Sequence, residues 1–390
     1  MAEAWHRRAW AEVDLEAISS NATVLRTLVA PAELCAVVKA DAYGHGAVPV
    51  AAAALAGGAT SLAVALVEEG VVLREAGFEV PIRILSEPAG EAMAEVVARD
   101  LLPTVYSAAG LAALRRAAAG GSRRVDVEVK VDTGMHRVGA CPEEAVVLVE
   151  EVVQAPELCY VGLWTHLAVT DEPEDPFTGE QLGRFESVRK ALADAGVPGP
   201  SFVHAANSAG AIAHPSSRYD LVRCGISLYG YLPSPAVGPE LVESAGAGSL
   251  RPALSWKTQV SYVRELEAGE RTSYGLAYEI PARTDIATVP VGYADGVPRG
   301  LFKGGAELLI GGRRRPVAGV VTMDQLLVDC GPDSKVHRGD EVVLIGSQGD
   351  DTVSAQEWAE RLGTISYEVL CRIGPRLPRR HVRGHGGPVL

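Results

Sequence analysis

The chain has 390 residues, 47% of them hydrophobic and 22% charged, with a formal net charge of −13. That length and composition describe a globular protein of two domains with a large core, and the acidic balance argues against a nucleic-acid partner, which requires a basic footprint. No apolar stretch is long enough to span a bilayer, and the opening MAEAWHRRAWAEVDLEAI lacks the apolar centre of a signal peptide, so a cytoplasmic protein without a membrane partner is expected.

In chain order, the early RRAWAEVD reads as a strand that either domain can claim. Eight short apolar runs follow: LCAVVK, SLAVAL, PIRILS, LLPTVYS, VDVEVKVD, YVGLWTHLA, SFVHAANS and YDLVRCGI. Amphipathic segments such as AGEAMAEVVARD, PEEAVVLVEEVVQA and EQLGRFESVRKALADAG separate several of them. This alternation predicts an α/β fold with a parallel sheet covered by helices. Eight such units in about 240 residues fit a (β/α)8 TIM-type barrel. An open doubly wound sheet is the alternative; the count, and the lack of a G-x-G-x-x-G after the first run, favour the barrel.

The Pro/Gly/Ser-rich PSPAVGPELVESAGAGSL reads as a linker, which places the barrel over residues 1–245 and a second domain over 246–390. There SWKTQVSYVREL, RTDIATVPVGYAD, AELLIGG, RPVAGVVTMDQLLVDC and DEVVLIG are strand-like, with one helix at SAQEWAERLG, so this domain is expected to be predominantly β. The basic GGRRRP at 311–316 reads as a solvated hairpin tip, and HVRGHGG near the C-terminus as a tail rather than a metal site. The six cysteines are scattered without a C-x-x-C pair, and no H-E-x-x-H occurs, so no metal site is expected.

Lys39 ends the first run, in AVVKADAYGHGA. Alone it is either a solvated strand terminus or a placed nucleophile. Barrels of this type carry catalytic groups at the C-terminal ends of their strands, and a lysine there can form a Schiff base, pyridoxal 5'-phosphate being the commonest partner. The fifth run ends with Lys130, Asp132 and Arg137, the sixth with His166, the seventh with His204, Asn207 and Ser208, and the eighth with Arg223, Gly225 and Ile226. Each segment alone is a polar loop; together they describe one rim, with the last two suited to phosphate.

AVVKADAYGHGA, VKVDTGMHRVG, THLA, HAANSA, RCGISLYG, SYGLAY, VGYADG, TMDQ and ISYEVLCRI, in this order and spacing, resemble the alanine racemase family over nearly the whole chain. One departure is Thr322 before MDQ, where the family commonly has cysteine. The resemblance implies a homodimer with shared active sites that interconverts L- and D-alanine, supplying D-alanine for bacterial peptidoglycan. It implies Lys39 as cofactor lysine and one base, and Tyr274 of the second subunit as the other. His166, Arg223 and His204 would support Tyr274 and the pyridine nitrogen. Tyr43, Leu85, Asn207, Ser208, Gly225, Ile226 and Tyr367 would complete the cofactor site. Arg137 and the backbone near Met323 would hold the substrate carboxylate, Lys130 can be carbamylated, and Tyr274, Tyr293, Tyr367 and Met323 would narrow the pocket; Asp324 fits a turn role or a substrate role. An apolar pocket discriminates weakly against one added hydroxyl, so activity on serine is an alternative. A non-catalytic carrier of the same cofactor would lack the β domain, a decarboxylase of related architecture would pair the ring nitrogen with an acid, and a metal-dependent hydrolase would need more His and Asp ligands.

Overall fold

Period-two alternation decides which way each barrel strand faces. In VDVEVK, Val125, Val127 and Val129 pack with Leu111, Leu148 and Phe185 of the surrounding helices, which turns Glu128 and Lys130 to the opposite side, the barrel interior. The strand itself, β6 (Val125–Lys130), is one of eight parallel strands in this computed structural model, which describes residues 7–238 and 249–384. Part of the expected linker (239–248) and the last three residues of HVRGHGG lie outside the described residues.

One sheet runs β4 (Ile82–Ile84), β3 (Ser61–Val64), β2 (Glu33–Val37), β9 (Leu221–Cys224). The other runs β5 (Thr104–Val105), β6, β7 (Leu158–Trp164), β8 (Phe202–His204). Two seams join them. Ile84 N donates to Leu102 O at 2.9 Å, and Asp220 N and Arg223 N donate to Val203 O and Ala206 O, each at 3.0 Å. The ring of strands is therefore the expected TIM-type barrel and not an open sheet.

The chain divides into two units, one of Ala17–Ala42 with Ala47–Pro252 and one of Met1–Glu16, Tyr43–Gly46 and Ala253–Leu390. The second unit is β-rich. Its main sheet runs β16 (Arg313–Pro316), β15 (Glu307–Ile310), β18 (Glu341–Gln348), β10 (Leu254–Gln259), β1 (Ala9–Asp14), β20 (Arg379–Val382). The early strand β1 thus pairs antiparallel with β10 and parallel with β20. A smaller sheet runs β11 (Tyr262–Leu266), β14 (Thr284–Val289), β17 (Leu326–Asp329). The buried rings of Trp256 and Trp358 lie 6.0 Å apart in this core. The helix Ala355–Leu362 starts where Ser354 Oγ accepts from Glu357 N and ends at Gly363, with φ +65°.

The basic run GGRRRP is a hairpin, as expected, with Gly311, Gly312 and Arg313 exposed, but Arg314 and Arg315 are half-buried rather than solvated. Only Gly311 and Gly312, with φ +63° and +70°, form the turn. The arginines are strand β16, where Arg314 pairs with Glu307, Asp351 and Glu357 and Arg315 donates to Cys330 O. A charge run alone does not show that acids from three other segments will meet it.

Candidate active site

Lys39 lies two residues past the end of β2 and is partly buried. The next four residues, Ala40, Asp41, Ala42 and Tyr43, all have φ between +50° and +54°. A left-handed conformation costs about 1–2 kcal/mol for each residue with a side chain, so this turn persists only because its surroundings fix it. Ala40 N donates to Glu69 Oε1 at 2.6 Å, Ala42 N to Val38 O at 2.8 Å and Ala47 N to Asp41 Oδ1 at 2.7 Å. No glycine marks the first four of these positions, so the sequence carries no signal for the turn.

The eighth strand supplies Arg223, 3% exposed, with its guanidinium over the Trp164 ring. Its terminal nitrogens meet His204 Nδ1 at 2.6 Å and His166 Nδ1 at 3.2 Å and donate to Thr165 O and Ala205 O, each at 3.0 Å. Its Nε makes no hydrogen bond with any described residue. Burial lowers the Arg223 pKa to about 10, so it remains a cation at pH 7. Arginine has donors only. Both histidines must therefore present an Nδ1 lone pair to it and carry their proton on Nε2. Burial, aided by the Arg223 charge, holds His166 well below its ordinary pKa, and burial lowers His204 to about 4. Both are neutral at pH 7, and His166 offers an N–H beyond Arg223.

Behind His204 the structure adds two residues that the strand-end reading missed. Glu128 Oε2 lies 3.4 Å from His204 Nε2, and Glu128 Oε1 accepts from Arg83 Nε at 2.9 Å. Both side chains are 1% exposed. The signal was present: Glu128 alternates with Lys130 in VDVEVK, and Arg83 sits between two buried isoleucines.

Lys130 Nζ lies 4.3 Å from the centroid of the Trp164 ring. Burial first, then the charges of Arg223 and Arg137, lower its pKa to about 7. The nearby acid, Asp132, is held by Gly134 N, His136 N and His136 Nδ1. Arg137 is exposed and makes no hydrogen bond or ion pair with a described residue. Lys39, Lys130, Arg137 and Arg223 all act on His166. Such an excess of cations suits an anionic ligand.

Ser208 Oγ accepts from Gly225 N at 3.0 Å and Ser227 N at 3.4 Å, and the buried Ser227 Oγ has no hydrogen-bond partner among the described residues. This cluster of hydroxyls and amides suits a phosphate. Asn207 Oδ1 accepts from Gly210 N and Thr170 Oγ1, each at 2.9 Å, which leaves Nδ2 as its donor without a hydrogen bond to a described residue. Leu85 N is bonded to Val64 O. The unpartnered Arg223 Nε and Ser227 Oγ, with Lys39 on the same strand ends, fit a phosphorylated pyridine aldehyde.

The remaining expected residues belong to the β-rich unit. Tyr274 is 71% exposed and forms no hydrogen bond with a described residue. It follows Ser273, held at φ +63° by donation to Val320 O at 2.6 Å. Met323 is 54% exposed and Tyr293 43%. Tyr293 N and Ala294 N donate to Thr322 O and Met323 O, each at 3.0 Å, and a Cβ on Gly292 would lie 2.3 Å from Thr322 O. Asp324 accepts from Arg376 at 2.8 Å, a structural tie. Tyr43 and Tyr367 have ring centroids 6.1 Å apart.

A parallel barrel with a C-terminal β domain, a strained lysine turn and a buried donor relay define an amino-acid isomerase of the racemase kind. The family model "Alanine racemase, N-terminal domain" matches residues 13–233, and "Alanine racemase, C-terminal domain" matches 253–381. The chain is 47% identical to the alanine racemase of Symbiobacterium thermophilum, over 96% of this chain and 97% of that one. It superposes on a solved alanine racemase of Clostridium difficile with a TM-score of 0.91 and 35% identity, covering 99% and 98% of the two chains. A solved alanine racemase of Bacillus anthracis with bound L-Ala-P gives 0.90 and 37%, covering 99% and 97%. The chain belongs to the alanine racemase family and is a racemase.

Proposed function

We propose that this racemase interconverts L- and D-alanine with pyridoxal 5'-phosphate in a homodimer with shared sites, in the cytoplasm, supplying D-alanine for peptidoglycan. The observation that carries the reading is Arg223, a buried cation that places two neutral histidines as acceptors and keeps Nε unpartnered. Lys39 would hold the cofactor, Arg223 its ring nitrogen, and Ser208, Ser227 and the backbone of Gly225 and Ile226 its phosphate, with Tyr43 and Tyr367. Leu85, His166 and Asn207 would flank it. When bound, the cofactor accepts the electrons of the Cα–H bond.

Lys39 Nζ then takes or returns the Cα proton on one face, and Tyr274 Oη of the partner subunit does so on the other. The His166 Nε2–H, backed by Arg223, is a donor suited to a phenolate. The exposure of Tyr274 supports its completing another subunit's site. Arg137 would hold the substrate carboxylate through paired donors, with the backbone at Met323. Incubation with L-alanine in deuterated water should give D-alanine with deuterium at Cα. Unchanged L-alanine, with a folded, cofactor-loaded protein, would end this reading.

A further inference from the structure

The relay does not stop at His204, and what lies behind it is built with care. Glu128 faces the barrel interior at a register shift between Val127 and Glu128 in the pairing of β6 with β7. Opposite it is Gly162, where a Cβ would come 2.5 Å from Glu128 Cγ; β7 carries no side chain where this carboxylate enters. Glu128 then divides its two oxygens, Oε1 to Arg83 Nε at 2.9 Å and Oε2 toward His204 Nε2 at 3.4 Å. His204 Nε2 makes no hydrogen bond with a described residue, so the 3.4 Å approach of Glu128 is a charge-directed contact, and the His204 ring stacks on Trp164 at 5.5 Å. Arg83, over the Phe202 ring, fixes the carboxylate from the far side.

We propose that Glu128, anchored by Arg83, is a positioning residue for racemisation: its Oε2 holds His204 with the proton on Nε2, so that Nδ1 stays an acceptor for Arg223. The inference rests on the racemase reading of the Arg223 relay. A packing role alone would not need this orientation, since apolar residues often replace a buried ion pair without loss of stability. A carboxylate can accept from both Arg83 and His204. A glutamine cannot. Its amide N–H must oppose either the Arg83 guanidinium or His204 Nε2, and in the second case His204 is driven to the Nδ1–H form, which sets a donor against Arg223.

The test uses holoenzyme labelled with ¹⁵N-histidine, with His204 assigned by comparison with H204Q. Imidazole nitrogen shifts report the tautomer independently of turnover. The wild type is expected to show neutral Nε2–H at pH 7. E128Q is expected to lose that single form, whereas R83M/E128L, in which Arg223 alone constrains His204, is expected to keep it with a shifted Nε2 signal as the carboxylate is lost; kcat should fall about tenfold or more in both, as for other residues that orient a working histidine, with KM little changed. A wild-type His204 that is Nδ1–H or doubly protonated overturns the proposal. So does a folded R83M/E128L enzyme with an unchanged His204 signal and unchanged kcat. Should both variants fail to fold, the wild-type tautomer alone decides. If the wild type does not racemise alanine, the functional reading falls, while the histidine spectra still report on Glu128.

Discussion

Lys130 offers a direct measurement of how dry and how cationic the barrel rim is. An ordinary lysine has a pKa of about 10.4, so about one molecule in a few thousand carries a free amine at pH 7. Here the value is lowered to about 7, chiefly by burial and then by Arg223 and Arg137. About half of the Lys130 side chains are then neutral at pH 7, a gain of roughly a thousandfold in nucleophilic amine. A free amine can attack CO₂, forming a C–N bond and releasing a proton, and the product is an anion. Among Arg137, Arg223 and Lys39 that anion removes the like-charge conflict that lowers the pKa in the first place. Carbamylation of Lys130 is therefore expected, with the carbamate orienting Arg137.

The assay is ¹³C NMR of the enzyme in ¹³C-bicarbonate at pH 7–8, compared with Lys130→Met. A carbamate carbon should appear in the wild type and be missing in the variant. Lys130→Arg should raise KM for alanine with a smaller effect on kcat, because a fixed cation beside Arg137 disturbs the carboxylate site. A wild-type spectrum without a carbamate signal, or with a signal that survives in Lys130→Met, would refute the reasoning.

Tyr274→Phe should lower kcat by about 10²–10⁴-fold, the usual range for a lost acid–base group, while one alanine enantiomer still exchanges its Cα proton with solvent in deuterated buffer; exchange of both at wild-type rates would contradict the two-base assignment. Arg83→Met should destabilise the fold by about 3–5 kcal/mol because Glu128 is left buried and unpaired, whereas Arg83→Met/Glu128→Leu should recover most of that loss in urea melts; additive losses would show that the pair does not act as a unit. Acid should also unfold the protein. His204 is neutral when folded, with its pKa lowered to about 4, so its contribution is full above the ordinary histidine value and declines as pH falls through it. Between pH 7 and pH 5 that group alone removes about 2 kcal/mol. Glu128, lowered to about 2 by Arg83 and His204 against the opposing effect of burial, adds a further loss below pH 4.5. Flat denaturant midpoints from pH 7 to pH 5 would argue against a neutral buried His204.

The barrel strands were legible because each is a short apolar run bounded by turn residues, and the rim residues because catalytic groups gather where such strands end. The linkage behind the rim was harder to see. Glu128 carries an alternation signal, yet its role depends on Gly162 and Arg83, which come from other strands and meet it only on closure of the barrel. The left-handed turn from Ala40 to Tyr43 had no signal, because side-chain residues adopt positive φ only under tertiary constraint. The partners of Arg314 and Arg315 in β16 were missed for a related reason: most of them lie in segments distant in sequence.

These features share one electrostatic logic. Arg223 can only donate, and it is the fixed point from which every proton position in the relay follows. Toward the interior, His204 must accept from it, which leaves Nε2–H facing Glu128, the one buried carboxylate at this end among the described residues. Toward the rim, His166 must accept as well, which leaves Nε2–H facing outward. A histidine so constrained cannot take a proton from a neighbouring phenol without placing two like charges beside each other in a buried site. It can, however, donate to a phenolate. On the proposed reading, the arrangement therefore favours a tyrosine brought to the rim, rather than His166, as the proton-accepting group on that face.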